Sequence, residues 1–197
     1  MDGVNRYLPG SLSPLPSFRH RLKQSGYSLY DLIVTSAVAS VLGMGAMGMS
    51  SLLQDARMTA AVNQLMGHLS LARNEAIKRN VRVTLCKSRD GVACTGASVW
   101  QEGWLVFADD NKNHKLDVGE TILHVQEALS GNMTLHYGES GTYTYMGYNS
   151  AGEAIRAATF TFCDRRGAEK AKGIIVYWTG RPRVTTKTSE DKPLRCS

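Results

Sequence analysis

The most informative part of the chain is RHRLKQSGYSLYD at residues 19–31, where a basic segment joins an apolar one. From Leu32 to Gln54 the chain carries no charge over 23 residues. A secretory signal would end its apolar stretch with a small-residue cleavage site on the far side. Here the small residue, Gly26, precedes the apolar stretch, so cleavage after it would leave the hydrophobic helix on the mature protein. A single acid, Asp31, lies at the fifth position after Gly26.

This order of residues resembles the class III signal of type IV pilins and type II secretion pseudopilins. The resemblance implies that prepilin peptidase cuts after Gly26 and methylates the new N-terminus at Tyr27. It also implies that other pilins are partners through the helix, with the carboxylate of Asp31 pairing with the N-terminal amine of a neighbouring subunit. The family usually has glutamate at this position, and Asp31 keeps the charge and the spacing.

The apolar segment is long enough to cross a membrane. At ~1.5 Å per residue, Leu32 to Gln54 matches a hydrocarbon core ~30 Å thick. An ordinary transmembrane anchor is one interpretation. The other is a helix that leaves the inner membrane for a pilus, which is favoured because small residues let helices pack closely; these are Ala37, Ala39, Gly43, Gly45, Ala46 and Gly48. The basic residues before Gly26 predict a single-pass topology with a periplasmic head. The resemblance implies that this head later belongs to the extracellular pilus, near its tip.

The cleavage site that the resemblance implies and the apolar pattern after it together divide the chain into four parts. An apolar stripe that recurs every three or four residues from Val62 to Ala76 predicts that the helix becomes amphipathic after Gln54. The parts are a leader (1–26), the membrane and assembly half of a helix (27–54), its amphipathic half (55–80), and a globular β-head (81–197) with a basic C-terminal tail (163–197).

The head has the pattern of a β structure. Alternating segments separated by Gly and Asn predict strands at 81–86, 103–107, 121–125, 133–137, 158–162 and 173–178. We therefore predict an α+β fold, in which a long N-terminal α-helix packs on an antiparallel two-sheet β-head. This is the type IV pilin-like fold that the resemblance at the N-terminus also implies.

Four cysteines lie in the part of the chain that is expected to be exported. An even count in an oxidising compartment suggests two disulfides, although four cysteines allow three pairings. Proximity favours Cys86 with Cys94, which closes a short loop, and Cys163 with Cys196, which pins the tail. No Cys-x-x-Cys pair or histidine cluster accompanies them, so we expect no zinc site.

Two motifs in the head narrow the resemblance. They are LARNEAIKRN at 71–80, followed by VTLC at 83–86, and WQEGWLVFAD at 100–109. Both resemble the GspH/FimT branch of minor pilins and pseudopilins, and the resemblance extends from Gly26 to about Trp178. It does not separate type II secretion from type IV pili. The charged residues of the helix are interpreted as helix-face ion pairs, and the two tryptophans as core.

Asp109 to Glu120 has the spacing of a calcium loop. Oxygen-bearing side chains occupy most ligand positions of an EF-hand, at residues 109, 111, 113, 117 and 120. His114, however, stands where the sharp turn needs glycine, and strands rather than helices flank the loop. The alternative is a polar hairpin whose Asp and Asn side chains bond local backbone. The branch carries a similar turn, which favours this alternative, so we expect no metal.

Positive charge is concentrated in the tail. Residues 163–197 hold nine Lys and Arg against four acids, a local excess of +5. Within the tail, Gly180-Arg181-Pro182-Arg183 follows a predicted strand, and the glycine and proline should hold two guanidiniums on a short, stiff loop. The planar fork of arginine matches phosphate oxygens. The segment resembles the Gly-Arg-x-Arg motif of FimT-type minor pilins, which bind DNA during natural transformation.

The resemblance implies a site for double-stranded DNA at Gly180, Arg181 and Arg183, and we add Lys187 because it lies nearby. If the disulfide brings the loops together, four cations of the preceding loop extend the patch: Arg165, Arg166, Lys170 and Lys172. The alternative is a solvated hairpin with ordinary surface charge.

No motif predicts catalysis or a cofactor, because the chain has no nucleophile elbow, glycine-rich phosphate loop or His-Glu-x-x-His sequence. Three functions remain: a minor pilin that captures DNA, a FimU-like initiator of pilus assembly, and a GspH-like pseudopilin of type II secretion. The basic tail favours the first, since the other two do not require a phosphate-binding loop.

Overall fold

The computed structural model describes residues 26–96, 99–138 and 141–196. The chain divides into two compact units, residues 1–45 and 46–197. Apart from Gly26, the predicted leader lies outside the described residues.

A single long helix, α1, runs from Leu29 to Arg79 and ends one residue before the predicted boundary at Asn80. Its first turn has a reciprocal cap: the Ser28 N–H donates to Asp31 Oδ2 at 3.1 Å, and Ser28 Oγ accepts from the Tyr30 N–H at 3.4 Å. Asn80 has a left-handed φ of 56°, which stops the helix. In the isolated chain, the Asp31 side chain therefore caps the N-terminus of α1.

Within the described parts of the chain, no helix has a stretch long and apolar enough to count as a membrane span. The membrane segment expected at 27–54 therefore stays a prediction. The amphipathic half of α1 buries most of the predicted stripe, namely Val62, Leu65, Leu69, Ala72 and Ala76, and Met66 is partly buried. Met58 and Ala61 extend the buried face towards the N-terminus.

Eight strands follow α1 in the described residues and form two antiparallel sheets. They are β1 (Arg82–Lys87), β2 (Trp104–Asp109), β3 (Ile122–Gln126), β4 (Thr134–Tyr137), β5 (Tyr145–Tyr148), β6 (Ala158–Cys163), β7 (Lys172–Val176) and β8 (Pro182–Thr185). The strand order is β3-β2-β1-β5 in the first sheet and β4-β6-β7-β8 in the second. The predicted fold, a long helix with an antiparallel two-sheet head, is confirmed.

Six strands lie within two residues of their predicted boundaries, but the sequence did not indicate β5 or β8. Gly147 interrupts the pattern of β5, and a Cβ there would lie 2.8 Å from the Val83 carbonyl oxygen of β1. β8 begins with Pro182, which cannot donate to a ladder and is tolerated because β8 is an edge strand. Gly147 and Pro182 thus interrupt the alternating pattern that predicts a strand, but each fits its position in the sheet.

The core of the head lies between α1 and the two sheets. Both predicted core tryptophans, Trp100 and Trp104, are buried in it, together with Phe160 and Ile174 from the second sheet. Disulfides join Cys86 to Cys94 and Cys163 to Cys196, the pairings that proximity along the chain favours. The second bond spans 33 residues, so it encloses β7 and β8.

Candidate nucleic-acid interface

The basic motif lies on a hairpin that β7 and β8 form at the edge of the second sheet. Val176 pairs with Pro182, so Tyr177 to Arg181 make the connecting turn. The Gly180 N–H donates to the Tyr177 carbonyl oxygen at 2.8 Å, which closes that turn. The prediction that all four motif residues form a short loop is therefore wrong. Only Gly180 and Arg181 lie in the turn, whereas Arg183 is held in the ladder opposite Ile175.

Gly180 has a structural role in this hairpin. It is buried and has a φ of 75°, a conformation that favours glycine. A Cβ at this position would lie 2.0 Å from the Gly152 carbonyl oxygen. The glycine of the motif therefore permits close packing of the hairpin turn on the Gly152 turn, and it contributes no side chain that could contact a ligand.

Arg73 of α1 connects both turns, a role that no sequence pattern indicated. Its Nε donates to the Gly152 carbonyl oxygen at 2.9 Å, and its Nη2 donates to that of Thr179 at 3.1 Å. A helix-face ion pair was expected for this segment, and Glu75 does form one with Arg79. Arg73 instead anchors the backbone directly before the basic motif.

The two arginines of the motif are carried on this anchored hairpin. No described residue forms an ion pair with Arg181 or Arg183. The guanidinium of Arg183 lies 5.9 Å from the centre of the Tyr177 ring, and its Nη2 donates to the Tyr177 hydroxyl at 3.3 Å. Both groups keep most of their donors available, because a guanidinium has five N–H groups.

Arg166 is not an available cation of the patch. Its Nη2 lies 2.7 Å from Asp164 Oδ2, and its Nη1 lies 2.6 Å from Asp55 Oδ1 of α1. Hydrogen bonds to Asp164 and then to Asp55 raise the pKa of Arg166 further above its usual range. The expectation that Arg166 extends the DNA site is thus corrected: it holds the tail against α1.

The other predicted patch cations differ in their surroundings. Lys172 Nζ donates to Thr59 Oγ1 of α1 at 2.9 Å. Lys187 Nζ lies 2.9 Å from Asp191 Oδ1, so its charge is compensated locally. This ion pair argues against the predicted role of Lys187 in DNA binding. Of the remaining members of the proposed extension, Lys170 is exposed, and so is Arg165.

In the loop from Asp109 to Glu120, the side-chain oxygens accept hydrogen bonds from within the protein. The buried Asp109 carboxylate accepts from Thr84 Oγ1 at 2.8 Å and from two backbone N–H groups of the loop. Asp117 accepts from two Asn side chains at 2.7 and 2.6 Å. His114 has the left-handed φ of 64° that a glycine would adopt. The geometry favours the polar hairpin interpretation, and the described residues contain no cluster of three or more His, Cys, Asp or Glu suited to a metal.

The long helix and the two-sheet head define a protein of the type IV pilin-like fold. The profile of the family described as type II transport protein GspH matches residues 61–180. The chain belongs to this family of minor pilins and pseudopilins. The match ends at Gly180, one residue before the first arginine of the basic motif.

Solved structures with the same architecture are distant in sequence. Two crystal structures of the type IV minor pilin FimU from Pseudomonas aeruginosa have TM-scores of 0.51 and 0.50 at 15% identity, covering 68% of this chain and 93% and 98% of theirs. The minor pseudopilin EpsH from the type 2 secretion system of Vibrio cholerae has a TM-score of 0.48 at 12% identity, covering 66% of this chain and 96% of its own. The likeness to FimU shows the fold alone. No curated protein sequence matches significantly.

Proposed function

We propose that this protein is a minor pilin of a type IV pilus that binds extracellular DNA, without sequence specificity, during natural transformation. The single observation that carries the proposal is the pair of arginines without acidic partners among the described residues, Arg181 and Arg183, on a hairpin whose turn Arg73 joins to the Gly152 turn. Elsewhere in the tail, Arg166, Lys187 and Lys192 form ion pairs with acids. Arg165, Lys170 and Arg195 are also exposed cations of the tail, but Arg181 and Arg183 stand two residues apart on one anchored hairpin.

The chemistry of the two side chains favours phosphate over bases. A guanidinium offers planar, paired donors that fit phosphate oxygens, and phosphate contacts carry no sequence information. A short hairpin with a few neighbouring cations makes ~3–5 such contacts, so the affinity of one subunit should be in the ~10⁻⁴–10⁻⁶ M range of non-specific binding. Efficient capture would then need several subunits or the geometry of the pilus tip.

The N-terminal segment supports assembly with other pilins. We propose that prepilin peptidase cleaves between Gly26 and Tyr27 and methylates Tyr27, and that Asp31 then pairs with the N-terminal amine of a neighbouring subunit. The protein would reside in the inner membrane before it enters the pilus. Assembly alone, without DNA binding, would serve a FimU-like initiator or a GspH-like pseudopilin equally well, so DNA binding is the property to be measured.

A mobility shift with the full-length protein in non-ionic detergent tests the proposal. In Arg181→Gln/Arg183→Gln, we expect the affinity for double-stranded DNA to fall about tenfold at ~0.1 M salt. The slope of log affinity against log salt should flatten by about 1.8, since each lost phosphate contact removes ~0.9. The fold should be unaffected, because exposed charges contribute little stability.

The matched control is Lys112→Gln/Lys115→Gln, which removes the same charge from an exposed loop after β2 in the other sheet. This control should retain the wild-type salt slope. If both double variants weaken binding equally, only net charge matters and the hairpin is not the site. If neither does, the DNA contacts lie elsewhere and the hairpin is not the site. If wild type itself does not shift DNA, the assembly function without DNA is the better description.

A further inference from the structure

The turn of the hairpin exposes a large aromatic side chain beside the arginines. The chain has three tryptophans. Trp100 and Trp104 are 1% and 0% exposed, whereas Trp178 is 65% exposed. Its neighbour Tyr177 is 41% exposed. A tryptophan left in water forgoes a large burial free energy, so an exposed one next to cations indicates a surface that binds something.

The backbone that carries Trp178 is held on both sides. The Trp178 carbonyl oxygen accepts from the Ala154 N–H at 3.1 Å, and the next carbonyl, of Thr179, accepts from Arg73. The close contact between Gly180 and Gly152 fixes the end of the turn. The indole is therefore presented from a rigid turn, which reduces the entropy that ordering it on a ligand would cost.

We propose that Trp178 stacks on an unpaired base while Arg181 and Arg183 hold the adjacent phosphates, so that the hairpin prefers single-stranded DNA, or single-stranded ends of a duplex, to blunt duplex. This inference rests on the proposed DNA-binding function and specifies its substrate. Base faces are covered by their neighbours within a duplex but are accessible in a single strand. Aromatic side chains interleaved with cations bind single strands without sequence preference, since every base has a π-face.

The aromatic and cationic composition also occurs at protein interfaces, where Trp, Tyr and Arg are enriched. DNA is favoured here because the arginines beside Trp178 have no acidic partner among the described residues and would meet an anionic ligand. A pilin subunit as the occupant is therefore an outcome that the test must distinguish.

The test compares full-length wild type, Trp178→Ala and Trp178→Phe in non-ionic detergent. The probes are a 12-nucleotide oligothymidylate, a blunt 12-base-pair duplex, and the same duplex with a five-nucleotide overhang, each followed by anisotropy. We expect Trp178→Ala to lose about tenfold in affinity for the oligothymidylate and the overhang, and little for the blunt duplex. Trp178→Phe should retain most of the affinity, and Val184→Ala, on the same hairpin, should match wild type.

Tryptophan fluorescence provides a second readout. Because Trp178 is the exposed indole, acrylamide should quench mainly its emission, and bound oligothymidylate should protect it. Equal losses on single strand and duplex, or no loss in Trp178→Ala, would overturn the stacking proposal while leaving the arginine site intact. Unchanged DNA affinity with poor incorporation into pili would assign Trp178 to a pilin contact instead. If wild type binds none of the probes, the proposed function itself fails.

Discussion

At the scale of single residues, Gly180 sets the position of the basic motif. Its φ of 75° disfavours any side chain, and a Cβ at this position would also lie only 2.0 Å from the Gly152 carbonyl oxygen. We expect Gly180→Ala to lower the free energy of unfolding by roughly 2–4 kcal/mol, because the two turns must move apart. DNA binding should weaken as well, since Arg181 moves with the turn. Denaturant unfolding and the mobility shift measure the two effects.

Gly119→Ala is the matched control for this prediction. Gly119 also has a positive φ, 97°, but a Cβ there meets nothing within 4 Å. Its substitution should cost only the backbone strain, about 1 kcal/mol, and leave DNA affinity unchanged. Equal destabilisation by the two substitutions would mean that contact with Gly152 does not matter.

Sequence patterns identified the arginines of the candidate site but not the residues that hold them. Arg181 and Arg183 stand in a recognisable four-residue motif. Arg73 lies 106 positions before Thr179, in a helix where charged residues usually pair with one another. Its partners are backbone carbonyls, and because every residue has one, no sequence pattern identifies them. The ion pair between Arg166 and Asp55 could not be predicted either, because the two residues are 111 positions apart.

At the scale of elements, the sequence predicted the helix and the strands whose apolar residues recur with a regular period. The apolar stripe of α1 and the six alternating strands were placed to within two residues. β5 and β8 were missed because they depend on neighbours: Gly147 fits against β1, and Pro182 is accepted at a sheet edge. The consequence for the site is that Arg183 belongs to a strand.

His68, which lies against His124 between α1 and β3, is expected to make the stability of the head depend on pH. The Trp104 Nε1–H donates to His68 Nδ1 at 3.2 Å, and the ring centres of His68 and His124 are 3.9 Å apart. Burial, and then the proximity of His124, lower the pKa of His68 to about 4. The unfolded chain therefore takes up this proton first, and stability should decline as the pH falls from about 6.5 towards 4.

We expect this decline to reach about 1–2 kcal/mol, a discounted figure because the ring is only half-buried. Thermal unfolding across this pH range measures it. His68→Gln keeps an acceptor for Trp104 and should flatten the profile relative to wild type. His114 and His136, whose pKa values are also lowered mainly by burial, remain in the variant and cancel in the comparison. Parallel profiles for the two proteins would show that His68 does not contribute.

At the scale of the whole molecule, the basic tail is fixed to the head. The disulfide between Cys163 and Cys196 closes it, and Arg166 ties it to Asp55 on α1. The local charge excess counted along the sequence therefore overstates what a ligand can meet. We expect binding to depend on the two arginines of the hairpin, Arg181 and Arg183, more than on the total charge of the tail.

Assembly into a pilus is expected to require the N-terminal segment around Gly26, Tyr27 and Asp31. Peptide mass spectrometry of the wild type from the host should find a methylated Tyr27 as the N-terminus. Gly26→Val should retain residues 1–26, because a branched side chain blocks the scissile bond. The matched variant Asp31→Asn should be cleaved and methylated normally but enter pili poorly, since a neutral side chain cannot pair with the amine of its neighbour and would leave that charge buried alone. Wild type with an intact leader, or cut beyond Gln54, would contradict the pilin-type processing. Normal incorporation of Asp31→Asn would remove the pairing role while leaving the cleavage site unaffected.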